Sequence, residues 1–138
     1  VRGAAEVGSG ASRDGDRLSI LVWHYHDDDL PGPAAAVALD LRGLPPALSR
    51  GAVLTHYRID DAHSNSFTAW QAMGAPLAPT NAQRAALLRA AELVTIDPGP
   101  TPFATDHGRT TLRFTLPRRG VSLLVLSPKP DQPAERGG

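Results

Sequence analysis

Cysteine is absent from this chain of 138 residues. The chain therefore has no disulfide framework, no thiol nucleophile and no cysteine-based zinc site, whereas its compartment stays undetermined. An excess of either charge is missing too, because 14 Lys and Arg residues balance 14 Asp and Glu residues. No basic patch stands out, which argues against nucleic acid and anionic membranes as partners.

Long apolar runs are also absent. No stretch approaches the roughly 20 residues of a membrane span, and the first residues lack the charged-then-apolar pattern of a signal peptide. The chain starts with Val1 rather than Met, so we expect a piece processed or excised from a longer protein. Cytoplasmic, periplasmic and secreted locations all agree with the sequence.

Turn residues, by contrast, are abundant, with 13 Gly and 13 Pro that separate short apolar runs. These runs predict strands over residues 18–25, with a hairpin partner at 9–13, and over 36–42, 53–60, 111–116 and 121–126. Strands without a β-α-β rhythm favour a mainly β fold. We predict an antiparallel β-sandwich with a helix-loop-helix insertion.

The insertion covers about residues 64–93. Phe67, Trp70 and Met73 recur every three residues, so we expect one helix with this stripe in the core. Thr80 and Gln83 have the spacing of a capping box at the start of a second helix.

One domain is predicted over residues 1–128, followed by a flexible tail at 129–138. The strands at 18–23 and 121–126 carry apolar residues on both faces, whereas an isolated sandwich leaves its outer face wet. Either the helix pair or another domain must cover the second face.

The densest group of polar side chains is His24, His26 and the acidic residues 27–29. Two imidazoles on one face of a strand, with a carboxylate, are able to hold zinc. The spacing matches no known zinc motif, however, and a solvated strand end explains it more simply. We expect no metal and no cofactor.

Catalytic signatures are missing from the sequence. It contains no Gly-x-Ser-x-Gly elbow, and its glutamates, Glu6, Glu92 and Glu135, do not suggest the carboxyl pair of a glycosidase. We predict no catalytic residue and no activity from this chain alone.

A series of motifs, in order along the chain, nevertheless resembles one enzyme family. The motifs are RDGDRL (13–18), VWHYHDD (22–28), THYRID (55–60), HSN (63–65) with Trp70, Met73, Gly74 and Pro76, LRFTLP (112–117) and GVSLL (120–124). Together they resemble the C-terminal part of glycoside hydrolase family 39, which includes β-xylosidases and α-L-iduronidases. The segment at 63–76 and the last strand look nearer to bacterial β-xylosidases.

This resemblance implies a role as an accessory β-sandwich that packs beside a catalytic (β/α)8 barrel. The two barrel glutamates of the retaining mechanism have no counterpart here, so only the sandwich framework transfers. The implied parent is a β-xylosidase that degrades xylan or xylo-oligosaccharides. Its barrel is the implied partner, and contacts with a second subunit or with carbohydrate stay open.

We assign structural or interface roles to eight polar or aromatic residues: Trp23, Tyr25, His56, Tyr57, Arg58, His63, Asn65 and Trp70. The main alternative is an independent carbohydrate-binding module, which requires a row of exposed aromatic side chains on one face. Most of the seven aromatic residues fall at positions where we expect core packing. A small metalloprotein that uses His24 and His26 is the remoter alternative.

Overall fold

The computed structural model describes residues 6–25, 32–49, 51–96 and 99–129. The strands in these ranges are β1 Glu6–Asp14, β2 Arg17–Tyr25, β3 Ala35–Leu41, β4 Ala52–Ile59, β5 Val94–Thr95, β6 Thr101–Phe103, β7 Thr110–Leu116 and β8 Val121–Pro128. The helices are α1 Ser66–Ala72 and α2 Asn81–Ala90, and a 3-10 turn spans Pro46–Ser49. Within the same ranges, no helix has the length and apolar character needed to cross a membrane.

The strands form two antiparallel sheets. The main sheet has the order β1-β2-β8-β4-β5, and β6 also pairs with β4, whereas β3 and β7 make a separate two-stranded sheet. Gly15, with φ of +59°, adopts the left-handed conformation that the tight turn between β1 and β2 requires. The predicted mainly β sandwich with a helical insertion is confirmed.

The hydrophobic core lies between the two sheets. Side chains at even positions of β2 and β8 face inward and meet side chains of β3 and β7. The buried members of this cluster are Ile20, Val22, Val37, Leu48, Ala52, Leu116, Leu124 and Leu126. Side chains at odd positions of β2, β4 and β8 therefore point to the outer face of the main sheet.

The two helices follow β4 and pack against each other. Asn65 caps α1 by accepting hydrogen bonds from the amides of Phe67 and Thr68, and the predicted capping box of Thr80 and Gln83 is present at α2. Neither helix contains a buried residue. The caps formed as predicted because they depend only on local backbone groups.

The prediction that the aromatic residues form much of the core is wrong. Trp23, Tyr25 and Phe67 are 38%, 56% and 59% exposed, and in the described ranges the buried hydrophobic residues are all aliphatic. Phe103 and Phe114 only pack against the margin of the core. The stripe on α1 is apolar at helical spacing, but the helix pair projects from the sandwich instead of lying between its sheets.

Two short strands, β5 and β6, were not predicted, because runs of two and three residues carry too little pattern and β6 contains Pro102. The acidic run 27–29 and the tail from 130 lie outside the described residues. The domain bounds at 128 and 129 stay a prediction.

Candidate functional site

The outer face of the main sheet carries a row of apolar side chains. Leu21 of β2 pairs with Leu123 of β8, which in turn pairs with Tyr57 of β4, and Ile59 lies two residues further along β4 on the same face. Leu21 and Ile59 are each 43% exposed. We call these four residues the apolar patch.

The exposed large apolar side chains of this face, Leu21 and Ile59 with Trp23 and Tyr25, lie in one half of it. Towards the opposite end of the same strands, the register brings Ser12, Ser19 and Thr55 onto the outer surface beside Val125. A sheet face exposed evenly to water would be polar along its whole length. The patch is therefore a local feature, at the end of the sheet where β4 leads into the helix pair.

The helix pair does not cover the patch, since Leu21 and Ile59 stay exposed although both helices are in place. Of the two explanations offered for the two-sided apolar strands, cover by the helices is wrong. Cover by another domain stays a prediction.

A second feature lies beside the patch, where β2 meets the turn that leads into β8. The indole of Trp23 lies over Gly8 of β1, so that a Cβ on Gly8 would come within 2.5 Å of ring atoms Cε2 and Cζ2. Tyr25 follows two residues later on the same face. Together with Arg119 and Val121 of the turn and β8, these rings line a cavity of about 140 Å³.

The inner face holds a chain of polar contacts next to the core. Ser122 Oγ accepts the Nε–H of Arg58 at 2.9 Å and lies within hydrogen-bond distance of His56 Nε2, at 2.7 Å. Arg58 also donates from Nη2 to Thr115 O at 3.0 Å. The side chain of Arg58 is only 7% exposed, so these partners replace the water it has lost.

His56 is neutral in this setting. Burial, with a smaller contribution from the charge of Arg58, lowers the pKa of His56 to about 4. The ring packs edge-on against Phe114, with the centroids 4.9 Å apart.

The chain of contacts continues to the start of the helix pair. Asp60 lies 3.6 Å from Arg58 Nη1 and 2.7 Å from His63 Nδ1. Burial alone would raise the pKa of Asp60, but the hydrogen bonds from His63 and from the Ala62 amide, with the charges of His63 and Arg58, hold it below its usual range. The carboxylate therefore anchors the loop before α1.

Ser64 and Asn65 tie this loop to the sheet. Ser64 has a positive φ of 53°, and its Oγ donates to Arg58 O and accepts from the Val94 amide, each at 2.9 Å. Asn65 Nδ2 donates to Asp60 O at 3.1 Å. The entry and the exit of the helical insertion are thus fastened to each other.

The metal hypothesis gains no support from His24. Its side chain points inward and is 1% exposed, with Nδ1 donating to Leu116 O at 3.1 Å. His26 and its acidic neighbours lie outside the described residues. Across the ranges that the structure describes, no group of three His, Asp or Glu side chains is placed to hold a metal ion.

The eight predicted residues fall into three groups. Trp23, Tyr25 and Tyr57 lie on the outer face, and His56 and Arg58 on the inner face. The remaining three, His63, Asn65 and Trp70, belong to the helical insertion, where Trp70 Nε1 donates to Pro76 O at 3.0 Å. Their functional roles stay predictions.

Sequence reasoning missed three residues of these sites: Gly8, Arg119 and Ser122. The signal for Ser122 was available, because a serine amid an apolar strand marks a buried polar group that needs a partner. Gly8 and Arg119 gave no such signal, since their roles depend on the strand register.

Comparison with known proteins identifies relatives of the chain, although no family model matches it. Alpha-L-iduronidase of Mus musculus is 31% identical over 118 residues, which cover 83% of this chain, and that of Homo sapiens is 31% identical over 123 residues, or 87%. In both cases the chain spans 18% of the relative's length.

Solved structures give a parallel result. The bacterial orthologue of human α-L-iduronidase matches 94% of this chain with a TM-score of 0.73 and 26% identity. The GH39 enzyme of Xanthomonas axonopodis pv. citri matches 88% with a TM-score of 0.71 at 18% identity, and a monomeric β-xylosidase of Caulobacter crescentus matches 87% with a TM-score of 0.64 at 22% identity. The matches cover 23%, 26% and 26% of those chains, respectively.

By fold and sequence, then, the chain corresponds to a domain that is found in glycosidases. Within that class it is homologous to part of the family 39 glycoside hydrolases, and the resemblance predicted from the motifs is confirmed.

Proposed function

We propose that the chain is a non-catalytic accessory β-sandwich domain of a retaining family 39 glycosidase, which packs against the (β/α)8 barrel of its parent enzyme. The observation that carries this proposal is the uncovered apolar patch of Leu21, Tyr57, Ile59 and Leu123. An exposed apolar cluster of this kind is typical of an interaction surface.

The size of the relatives supports a partner within the same protein. The chain spans about a quarter of the solved enzymes it matches, so in those enzymes the equivalent sandwich is one part of a much larger chain. A barrel that buries the patch would remove aliphatic surface from water, worth about 25 cal/mol per Å².

The carboxylates of the described part support a non-catalytic role. A retaining glycosidase needs two carboxyl groups about 5–5.5 Å apart across the scissile bond. Glu92 is exposed just beyond α2, and Asp60 is held by structural hydrogen bonds. Neither lies in a cleft that places it against a second carboxylate.

The sugar that the parent enzyme cleaves is a finer proposal. The motif at 63–76 favours a β-xylosidase that acts on xylan or xylo-oligosaccharides. Identity is higher to the α-L-iduronidases, at 31% and 26%, than to the solved β-xylosidase, at 22%. An α-L-iduronidase parent is therefore the competing substrate assignment, and assays of the parent on both aryl glycosides decide between the two.

The docking test begins with the coding region around this chain. We expect an in-frame barrel of about 250 residues. The barrel and this chain are then produced as separate polypeptides, and their affinity is measured by titration calorimetry. Leu21→Gln combined with Ile59→Gln should weaken binding at least tenfold, because both changes place an amide in the buried interface.

The matched control is Ser12→Gln, at the polar end of the same face, which should bind as the unaltered chain does. Equal affinity of the patch variant and the control would refute docking through the patch. A coding region that encodes no barrel would refute the proposal that a barrel is the partner of this domain. Hydrolysis of an aryl β-xyloside or α-L-iduronide by this chain alone would refute the non-catalytic assignment.

The independent carbohydrate-binding module stays as the second candidate because of one specific observation. Trp23 and Tyr25 are exposed next to each other on one face, whereas the sequence predicted that most aromatic side chains would be buried. A domain that docks on a barrel is also able to carry a sugar site at the margin of its interface.

A further inference from the structure

We propose that Trp23, Tyr25 and Arg119 form a binding site for a single pyranose ring of a glycan. This goes beyond the accessory role and does not depend on it. The site takes up side chains beside the apolar patch and not the patch itself.

The first support is the way Trp23 is presented. Its indole rests on Gly8 in the edge strand β1, with Cε2, Cζ2 and Nε1 so close that any side chain at position 8 would displace the ring. The underside of the indole is thereby packed against backbone, while the side chain keeps 38% of its surface exposed. An aromatic ring that is packed on one side and exposed on the other can stack against the flat face of a ligand.

The second support is the neighbourhood of that ring. His24 bonds through its backbone to the turn before β8, with His24 N to Gly120 O at 3.0 Å and Arg119 N to His24 O at 2.9 Å. These bonds fix Arg119 beside the aromatic pair. Tyr25 and Arg119 also line the cavity, and both side chains carry groups that can hydrogen-bond a hydroxyl.

The third support is the match to sugar chemistry. A pyranose ring has an apolar face of C–H groups, which packs on an aromatic ring, and a rim of hydroxyls, which need hydrogen-bond donors and acceptors. The cavity of about 140 Å³ is far below the roughly 300–1,000 Å³ of sites for drug-sized ligands, so it suits one ring rather than a long ligand.

The composition of the two neighbouring surfaces separates this site from the docking patch. The patch consists of three aliphatic side chains and Tyr57, whereas the cavity beside it combines the aromatic rings of Trp23 and Tyr25 with Arg119. Shallow aliphatic surface fits protein packing, and a concave aromatic site with a few polar groups fits a small ligand.

The test exploits the two tryptophans of the chain, Trp23 and Trp70. In the ¹⁵N-labelled chain each indole N–H gives its own NMR signal, assigned with Trp23→Phe. Titration with xylohexaose, and separately with a hexuronate-containing tetrasaccharide, should shift the Trp23 signal to saturation and leave the Trp70 signal in place. The two probes distinguish a neutral glycan from an acidic one.

Three variants localise the binding. Trp23→Ala should lower the affinity at least tenfold, and Arg119→Ala should lower it several-fold, with both chains still folded by thermal unfolding. Gly8→Ala should also weaken binding, although residue 8 contacts no sugar, because it displaces the indole. Phe67→Ala, which removes an exposed aromatic ring of the helix pair, is the matched control and should bind normally.

Absence of a saturable shift at Trp23 with both probes would overturn the sugar site. Equal loss in Phe67→Ala and Trp23→Ala would overturn its location. Neither result bears on docking, which is measured with the barrel and the patch variants. Conversely, if the patch variants no longer bind the barrel but still bind sugar, the sugar site is independent of the docking surface.

Discussion

Single residues on the inner face of the main sheet couple the stability of the sandwich to pH. The guanidinium of Arg58 is almost entirely buried, and Ser122, Thr115 and Asp60 serve as its partners. Ser122 Oγ also lies within hydrogen-bond distance of His56 Nε2. A proton on His56 would place a second positive charge, largely removed from water, beside Arg58.

The direction of the pH effect follows from the pKa of His56. Its folded value of about 4 lies below the ordinary 6.5, so the unfolded chain binds the proton more readily. The contribution of neutral His56 to stability is therefore complete above pH 6.5 and is lost as the pH falls towards 4. Because solvent still reaches the half-buried ring, we expect a loss of about 1–2 kcal/mol.

His56→Gln tests this prediction by urea unfolding at pH 7 and at pH 4.5. Glutamine still accepts a hydrogen bond but does not titrate in this range, so the variant should lose less stability on acidification than the unaltered chain. His107→Gln, at a histidine whose side chain is 95% exposed, is the control and should leave the pH dependence unchanged. An unaltered pH dependence in His56→Gln would contradict the assignment.

The contribution of Asp60 to stability is lost at a lower pH than that of His56. Its folded pKa is depressed, so its contribution is present above the ordinary value of 3.8 and disappears as the pH falls through the folded value. The two groups thus weaken the sandwich in sequence on acidification, His56 first and Asp60 later.

At the scale of elements, the helix pair depends on its caps more than on burial. Asn65 closes α1 through two accepted amides and also donates to Asp60 O, whereas Thr80 only closes α2. With no buried residue in either helix, little else holds the first turns in place.

Hydrogen exchange of the cap variants measures this dependence. Asn65→Ala should speed exchange of the amides in α1, with a local loss of about 1–2 kcal/mol. Thr80→Ala should act on α2 instead, by about 1 kcal/mol. Amides of β8 serve as the internal reference and should not change. Equal acceleration in β8 would mean that the helices and the sheet unfold as one unit, contrary to the prediction.

Elements with a strong local pattern were predictable from the sequence. The alternation in β7 and the Asp14-Gly15 turn placed those strands, and the spacing of Thr80 and Gln83 placed α2. For β2, the sequence did not predict which side chains face the core, because both faces of the strand are apolar. His24 lies inside, with its Nδ1–H satisfied by Leu116 O, while Trp23 and Tyr25 lie outside. Only the pairing of β2 with β1 and β8 decides between these two arrangements.

The candidate site could be predicted only in part, because it too depends on how the strands pair. His56 and Arg58 were chosen as neighbours in the sequence, but their shared partner Ser122 is 66 and 64 residues away. Such contacts arise from strand register, and a single sequence contains no direct record of register.

At the scale of the whole molecule, the fold divides into a sandwich with a complete core and a helix pair that adds nothing to that core. The buried core residues all belong to strands or to the 3-10 turn. Ser64 joins the two ends of the insertion through Arg58 O and the Val94 amide. The chain can therefore be shortened at this point without a gap in the sandwich.

We predict that the sandwich folds without the helix pair. Replacement of residues 65–91 by a four-residue Gly-Ser linker should change the free energy of unfolding by only about 1 kcal/mol, as expected for surface changes. Urea unfolding followed by far-UV circular dichroism should stay cooperative. The matched contrast is Leu48→Ala, a single change in the core, which should cost about 2–5 kcal/mol. A shortened chain that binds a hydrophobic dye and unfolds without cooperativity would show that the helices complete the core. A folded one would leave the insertion free to serve contacts beyond this domain.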